Sequence, residues 1–323
     1  MRRLGCIAAA LLALAMLLAG GWFAFGWYGG SAVEEDTAFL VPQGASLTAV
    51  AKKLEEEGHI GSADAFLLRA KLLGGSDAIQ AGEFALPAGT SAAGILDTFQ
   101  HGEVIRRFVT IPEGLPSVMV RDRLMAQDLL TGDVPVPPEG SVLPESYDFE
   151  RGETRAAVLA RMQAAMDRVL AEAWAGRKPG IAVSSPREAL ILASIVEKET
   201  GVPRERRMVA GLYSNRLKQG MMLQADPTII YPITKGRPLG RRIRQSEIRA
   251  VNGYNTYAMA GLPQGPIANP GRASIEAVLN PAETDALYMV ADGSGGHAFA
   301  ATLAGHNANV EKWYALRRAR GEM

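Results

Sequence analysis

The sequence predicts an α+β protein with one N-terminal transmembrane helix, a small module and a larger mixed α/β domain. The first basis is an uncharged run from Leu4 to Tyr28, longer than the roughly 20 residues that cross a bilayer. The second is that helical periodicities alternate with strand-like segments in the rest of the chain. The third is that 323 residues with 48% hydrophobic content suit two domains and an appendage.

The flanks of the apolar run predict its orientation. Two arginines precede it, tryptophan and tyrosine lie at its far end, and three acidic residues follow. Positive charge on the near side and interfacial aromatics on the far side predict an uncleaved, N-inside anchor with the rest of the chain exported. A cleaved signal peptide is the alternative, because Ala19 and Gly20 are small enough for a cleavage site. The predicted boundaries are a cytoplasmic N-terminus at 1–3, a transmembrane helix at 4–28 and a polar tether at 29–38.

A compact α+β module is predicted over residues 39–105. Ser46 can cap a helix with apolar positions at Leu47, Val50 and Leu54. A second helix is expected to end at Gly74, and a strand, a turn and a third short helix follow. Residues 106–323 form the larger domain, in which an amphipathic helix is predicted from Thr154 to Trp174. After Gly220 the pattern favours strands and loops.

The segment Ala-Ser-Ile-Val-Glu-Lys-Glu-Thr-Gly, residues 193–201, ends an apolar helix with two acids. Ser185, Pro186 and Glu188 form a predicted capping box at the start of this helix. Glu199 lies four residues after Ile195 and therefore continues the apolar stripe. Glu197 is rotated by about 200° from it.

If the apolar stripe faces the interior or a cleft, Glu199 faces it too. Burial and the negative end of the helix dipole would then both raise the pKa of its carboxyl, as a general acid requires. The alternative is a solvated helix end, with Glu199 paired to an arginine of the following Arg-Glu-Arg-Arg run. Periodicity by itself leaves both interpretations open.

Composition excludes or disfavours several classes of function. The chain has 34 basic and 34 acidic residues, so no bulk attraction to nucleic acid is expected. Its single cysteine lies in the apolar N-terminal run, and its four histidines are scattered. No metal and no cofactor are therefore predicted. The glycines after residue 292 lack the strand–turn–helix context of a dinucleotide site.

Two later segments are too polar to be simple core. The first contains Gln224 and Asp226, and the second contains Tyr254 and Asn255 next to turn-forming glycines and prolines. This composition is typical of a groove that hydrogen-bonds and stacks sugar rings, although surface loops have a similar composition.

Four ordered motifs closely resemble the MltG (YceG-like) family of endolytic murein transglycosylases. The motifs are LASIVEKETG, NRLKQGMMLQADPTIIY, YNTYAMAGLPQGPIANPG and LYMVADGSGGHAFAATLAGHN. The resemblance extends over nearly all of the exported part. It implies that residues 39–105 are a LysM-like peptidoglycan-binding subdomain and that residues 106–323 are a YceG-like catalytic domain.

The resemblance also implies an activity. The second glutamate of the E-K-E-T motif is Glu199, which would protonate the glycosidic oxygen between N-acetylmuramic acid and N-acetylglucosamine. The same carboxylate would then deprotonate the muramyl 6-hydroxyl, which closes a 1,6-anhydro ring. Gln224, Asp226, Tyr254 and Asn255 are implied candidates for the sugar-binding groove, and Glu197 for a supporting role.

The expected protein is thus a lyase in the inner membrane with its catalytic domain in the periplasm. It would cut nascent peptidoglycan strands, with peptidoglycan synthases as further partners. Two alternatives are a non-catalytic peptidoglycan-binding scaffold and a hydrolytic muramidase in which Asp226 or Glu197 assists Glu199. A pyridoxal enzyme is disfavoured, because no segment offers a convincing Schiff-base lysine and phosphate cup.

Overall fold

The computed structural model describes residues 2–29 and 33–322, with side chains from Cys6 onwards. The chain divides into two compact units, Met1–Arg107 and Phe108–Met323, and each has its own hydrophobic core. Met1 of the predicted cytoplasmic N-terminus and residues 30–32 of the predicted tether lie outside the described residues. Helices and strands occur together, so the mixed class predicted from the sequence is confirmed.

Helix α1, Arg2–Tyr28, contains the apolar run. Its segment Cys6–Tyr28 has 23 residues and is long and apolar enough to cross a membrane. At about 1.5 Å per residue, a helix of this length exceeds the roughly 30 Å of a bilayer's hydrocarbon core. Residues 6–20 are exposed, whereas Trp27 is only 2% exposed and belongs to the core of the first unit.

The rest of the first unit is a two-stranded sheet with three helices. These are β1 (Thr37–Val41), α2 (Leu47–Glu56), α3 (Ala63–Leu73), β2 (Gly82–Leu86) and α4 (Ala92–His101). The strands are antiparallel, in a register that pairs Thr37 with Leu86 and Val41 with Gly82. Ser46, the predicted cap, accepts a hydrogen bond from the amide of Ala49 at 3.2 Å. Aromatic side chains fill the core beneath the sheet, namely Phe39, Phe66, Phe84 and Phe99.

The second unit begins with β3 (Arg107–Thr110), α5 (Ser117–Met125), β4 (Ser146–Phe149) and α6 (Arg155–Ala175). Thr154 is the N-cap of α6, so the predicted helix is confirmed. Helix α7 (Pro186–Glu199) follows, and after a 3₁₀ turn at Pro203–Glu205 it packs against α8 (Arg206–Lys218). The capping box of α7 is only half formed. Ser185 accepts from the amide of Glu188, but Glu188 accepts from Ser184 rather than from Ser185.

The prediction of strands and loops after Gly220 is confirmed for the loop at residues 255–271 and for the hairpin near residues 288–300, but it missed four helices. The described residues there form helices α9 (Pro227–Thr234), α10 (Gln245–Ile248), α11 (Arg272–Leu279) and α12 (Leu303–Ala319), and one hairpin of β5 (Tyr288–Ala291) with β6 (His297–Ala300). In α9, the isoleucines favour a strand, and its two prolines disfavour a helix interior. Pro227 instead occupies the first turn, where its missing N–H costs no hydrogen bond. Burial of Thr228, Ile229 and Tyr231 then outweighs the strand preference of the isoleucines.

Candidate active site

Glu199 is the last residue of helix α7 and lies in a cleft of about 360 Å³. The preceding stripe residues Ile195 and Val196 are fully buried, which brings the Glu199 side chain to the inner wall of the cleft. The cleft is polar and is lined by Lys198, Glu199, Leu212, Tyr213, Arg216, Gln224, Asp226, Pro227, Tyr257 and Met289. The structure therefore brings together three of the predicted residues, Glu199, Gln224 and Asp226.

The pKa of the Glu199 carboxyl is raised to about 7, chiefly by burial and in second place by the negative charge of Asp226. A hydrogen bond from the Tyr213 hydroxyl and the charge of Arg216 act in the opposite sense, because both favour the carboxylate. A carboxyl with a pKa near neutrality can both donate and accept a proton under physiological conditions. This arrangement suits a single residue that acts as acid and then as base.

Asp226 is held by a tyrosine that the candidate list from the sequence omits. The hydroxyl of Tyr257 donates to Asp226 Oδ1 at 2.7 Å. Burial and the hydrogen bond to Asp226 raise the pKa of Tyr257 above its ordinary value, so the phenol stays protonated and remains a donor. Asp226 is therefore held in the cleft by a hydrogen bond, where its charge acts on Glu199.

Gln224 has a left-handed backbone, with φ of 52°, which is uncommon for a residue with a side chain. Its amide donates to the carbonyl of Thr256 at 3.1 Å. Thr256 is fully buried, and its hydroxyl lies 2.8 Å from that of Thr228 and accepts from the amide of Ala225. These contacts fix the backbone on both sides of Gln224 and place its side chain in the cleft.

Tyr254 and Asn255 do not line the cleft around Glu199. The ring of Tyr254 packs against Tyr231 at a centroid distance of 4.8 Å. Asn255 is fully buried, and its amide nitrogen donates to the carbonyls of Ile248 and Ala250. Its Oδ1 accepts from the amide of Tyr257 at 3.0 Å. Asn255 thus acts on the cleft indirectly, by positioning the backbone of Tyr257.

Glu197 lies outside the cleft lining, as its position on the helix predicts. Its side chain is only 6% exposed and its Oε1 lies 3.7 Å from Arg206. Its Oε2 accepts from the amide of Gly271 at 3.0 Å. The arginine of the Arg-Glu-Arg-Arg run that approaches this helix end therefore pairs with Glu197, and not with Glu199 as the solvated-end alternative supposed.

Tyr213 and Arg216 were not among the candidates from the sequence. Both lie on the buried side of α8, three residues apart. Arg216 donates to the carbonyls of Leu287 and Leu223 at 2.7 and 2.6 Å, so it joins α8 to two later segments. An arginine on the inward face of a helix was the available signal, because a charged side chain is rarely buried without partners.

Within the part of the chain that the structure describes, no group of three or more His, Cys, Asp or Glu side chains is placed to hold a metal ion.

Residues 39–312 match the model of the YceG-like family. The chain is 29% identical to a Bacillus subtilis (strain 168) protein named endolytic murein transglycosylase, over 92% of this chain and 91% of that protein. It is 27% identical to a protein of the same name from Streptococcus pneumoniae serotype 2 (strain D39 / NCTC 7466), over 93% of this chain and 63% of the relative.

A crystal structure of a yceG-like protein from Listeria monocytogenes is also similar. Its TM-score is 0.54 at 26% sequence identity, and the alignment covers 85% of this chain and 98% of that chain. The matched residues include helices α7 to α9, which build the cleft around Glu199. Since the family model matches far more than half of the sequence, the resemblance seen in the four motifs is confirmed, and the chain belongs to the YceG-like family.

Proposed function

We propose that this protein is an endolytic murein transglycosylase, a lyase that cuts peptidoglycan glycan strands internally. The observation that carries the proposal is Glu199, whose carboxyl lies in a polar cleft and has a pKa of about 7. Membership of the YceG-like family and the shared name of the two relatives support the substrate class.

In the proposed reaction the protonated Glu199 gives its proton to the glycosidic oxygen between N-acetylmuramic acid and N-acetylglucosamine. The bond from that oxygen to the muramyl C1 breaks, and the N-acetylglucosamine unit leaves with a hydroxyl group. The Glu199 carboxylate then removes the proton of the muramyl 6-hydroxyl, whose oxygen bonds to C1. The product is a 1,6-anhydro ring, water is not consumed, and Glu199 is protonated again.

Asp226 has two proposed effects on this reaction. Its negative charge favours the protonated form of Glu199 before the bond breaks, and it can stabilise positive charge that develops at C1. Gln224 and Tyr257 line the same cleft and are proposed to hydrogen-bond the sugars. Asn255 and Glu197 are proposed to support the cleft from outside, and Tyr254 to contact glycan beyond it.

The chain is proposed to work at the membrane surface. Residues 4–28 would span the inner membrane after a cytoplasmic N-terminus at 1–3, and residues 29–38 would lead into the periplasm. We assign residues 39–105 as a LysM-like glycan-binding subdomain and 106–323 as the catalytic domain. A separate core for each compact unit supports this division. Peptidoglycan synthases are the proposed protein partners, because they supply nascent strands.

The central test digests purified sacculi with the full-length protein in detergent, beside its Glu199→Gln variant. The wild type should release fragments with anhydromuramyl ends, and the variant should release none, because an amide cannot donate the required proton. Glu172→Gln, which changes an exposed glutamate on α6, serves as the matched control and should retain full activity. Full activity of Glu199→Gln would remove Glu199 from the mechanism.

Mass spectrometry of the fragments separates the remaining alternatives. Asp226 in the cleft favours a hydrolytic muramidase as the second candidate, because a pair of carboxylates can activate water. Hydrolysis adds one water to each product, whereas the transglycosylase reaction adds none. Binding of glycan without any cleavage would instead indicate a scaffold.

A further inference from the structure

Helix α3 of the first unit has two apolar faces. Ala63, Phe66 and Ala70 are buried in the core of the unit. On the other side three leucines are exposed, with exposed fractions of 52% for Leu68, 63% for Leu72 and 39% for Leu73. Leu68 and Leu72 are four residues apart and so project from the same side of the helix. An exposed apolar face of this kind indicates a site of interaction with another protein or with a membrane.

The end of helix α1 lies directly beside α3. The rings of Trp27 and Phe66 have a centroid distance of 5.6 Å. The guanidinium carbon of Arg69 lies 5.7 Å from the ring of Trp22 and 5.3 Å from that of Phe23. Gly26 leaves room for the Arg69 guanidinium in this position, since a Cβ at residue 26 would clash with Arg69 Nη2. Helix α3 is therefore packed at the level of the last two turns of α1.

Those last two turns lie at the edge of the apolar segment. The segment Cys6–Tyr28 has 23 residues, and roughly 20 are needed to cross the hydrocarbon core. Trp22, Phe25 and Tyr28 are exposed there, as expected for aromatic side chains at the boundary between lipid and water. If α1 spans a membrane, the exposed leucines of α3 lie at the same boundary.

The basic residues of α3 are suited to bind an anionic membrane surface. Arg69 and Lys71 lie in the second half of the helix, and its one acid, Asp64, lies in the first turn. Nε of Arg69 is buried and has no hydrogen-bond partner among residues 2–29 and 33–322. Arg69 also lines a cleft of about 280 Å³ between α1 and the module, together with Trp22, His59 and Ser62. A phosphate oxygen is a suitable acceptor for such a guanidinium.

We propose that helix α3 is a membrane-docking surface for an anionic phospholipid leaflet. Leu68, Leu72 and Leu73 enter the interfacial layer, and Arg69 and Lys71 bind headgroup phosphates. The proposal rests on the membrane anchoring put forward above. The module is then attached to the membrane at two places, through the span and through α3.

The test uses the full-length chain in vesicles and relies on its single cysteine, Cys6. A fluorophore on native Cys6 reports insertion of α1, because lipid spin labels quench it only if α1 is in the bilayer. The same fluorophore on Leu72→Cys, in a Cys6→Ser background, reports whether α3 contacts the lipid. Lys52→Cys, at an exposed position of α2, is the matched control. The vesicles contain phosphatidylcholine alone or mixed with phosphatidylglycerol, with spin labels at the headgroup level.

In the mixed vesicles, quenching at Leu72→Cys should be about twofold or more stronger than at Lys52→Cys. Arg69→Gln should reduce the excess quenching, as should omission of phosphatidylglycerol. Quenching of Cys6 with equal quenching at positions 52 and 72 would overturn the docking surface and leave the anchor intact. An unquenched Cys6 would overturn both. Energy transfer between labels at position 72 of two chains, without lipid quenching, would show that a second copy covers the leucines and would also overturn the proposal.

Discussion

At the scale of single residues, the proposed chemistry depends on the coupling between Glu199 and Asp226. Burial is the larger cause of the raised pKa of Glu199, and Asp226 adds to it. Tyr257 keeps Asp226 hydrogen-bonded, so the two carboxyls have different surroundings. The raised pKa of Glu199 makes this residue the proposed proton donor.

This coupling predicts a pH effect of Asp226→Asn. Glu199 must be protonated when the substrate binds, so the wild-type kcat/KM should fall as pH rises through about 7. Removing the negative charge of Asp226 lowers the pKa of Glu199, and the falling limb should move to lower pH. The check is a pH profile of kcat/KM on soluble glycan strands, with Glu172→Gln as the control. If kcat/KM of the Asp226→Asn variant falls at the same pH as that of the wild type, or at a higher pH, the coupling is contradicted.

The same shift predicts how stability depends on pH. The folded pKa of about 7 lies above the ordinary value of 4.5, so the folded state binds the proton more tightly and loses stability as pH rises from 4.5 to 7. Glu199→Gln removes the buried carboxylate. At pH 8 the variant should be more stable than the wild type by on the order of 3 kcal/mol, since the pKa rises from 4.5 to about 7 and each pKa unit corresponds to about 1.4 kcal/mol. The difference should vanish near pH 4.5, as measured by chemical denaturation. Equal stabilisation of Glu199→Gln at pH 8 and at pH 4.5 would contradict the raised pKa of Glu199 as its cause.

At the scale of elements, helix α7 connects the cleft to a distant loop. Ser194, the one polar residue in its apolar run, donates to the carbonyl of Ile191 at 2.7 Å and accepts from the amide of Ile267 at 3.1 Å. Glu197 accepts from Gly271 one turn later. The loop that contains both amides is thus held along one side of the helix that presents Glu199.

Ser194→Ala should therefore destabilise the second unit. The change leaves the buried amide of Ile267 without its acceptor, at a cost of about 1 to 3 kcal/mol. Ser214→Ala is a close control, because Ser214 is also buried in a helix and its hydroxyl has no partner among the described residues. The stabilities of both variants are compared by thermal unfolding. Equal losses of stability in Ser194→Ala and Ser214→Ala would mean that the hydrogen bond to Ile267 contributes little.

The elements also show what the sequence could predict. The Ser46 cap, the helix after Thr154 and the stripe that leads to Glu199 are local patterns, and the structure contains them. Helix α9 was missed because its stability comes from burial against distant segments, which periodicity does not report. Tyr257 was missed for a similar reason. Tyr257 contributes to the site through a hydrogen bond to Asp226, 31 positions earlier in the chain. The nearby Tyr254 lies in a segment of the same composition, so the sequence does not distinguish the two tyrosines.

At the scale of the whole molecule, each unit has a core that shares no residue with the other. The first of these cores includes Trp27 from the end of helix α1. The first unit is consequently not complete without the last turn of the apolar helix.

Trp27→Ala should destabilise the first unit by about 3 kcal/mol, because it leaves a large cavity. Trp22→Ala is the matched control, since Trp22 is 73% exposed and its loss should cost about 0.5 kcal/mol or less. Hydrogen exchange of the full-length protein in detergent should show faster exchange in the first unit of Trp27→Ala and unchanged exchange in residues 108–323. Uniform acceleration in both units would contradict the separation of the cores.

The burial of Trp27 also has a mechanical consequence. A protein held by a membrane at one end and by a polymer wall at the other is pulled whenever the two move apart. If α1 spans a membrane as proposed, a tensile load on α1 reaches the packed rings of Trp27 and Phe66 at its end. The force would therefore be shared by the packed side chains of the first core, and the first unit would move together with the end of α1.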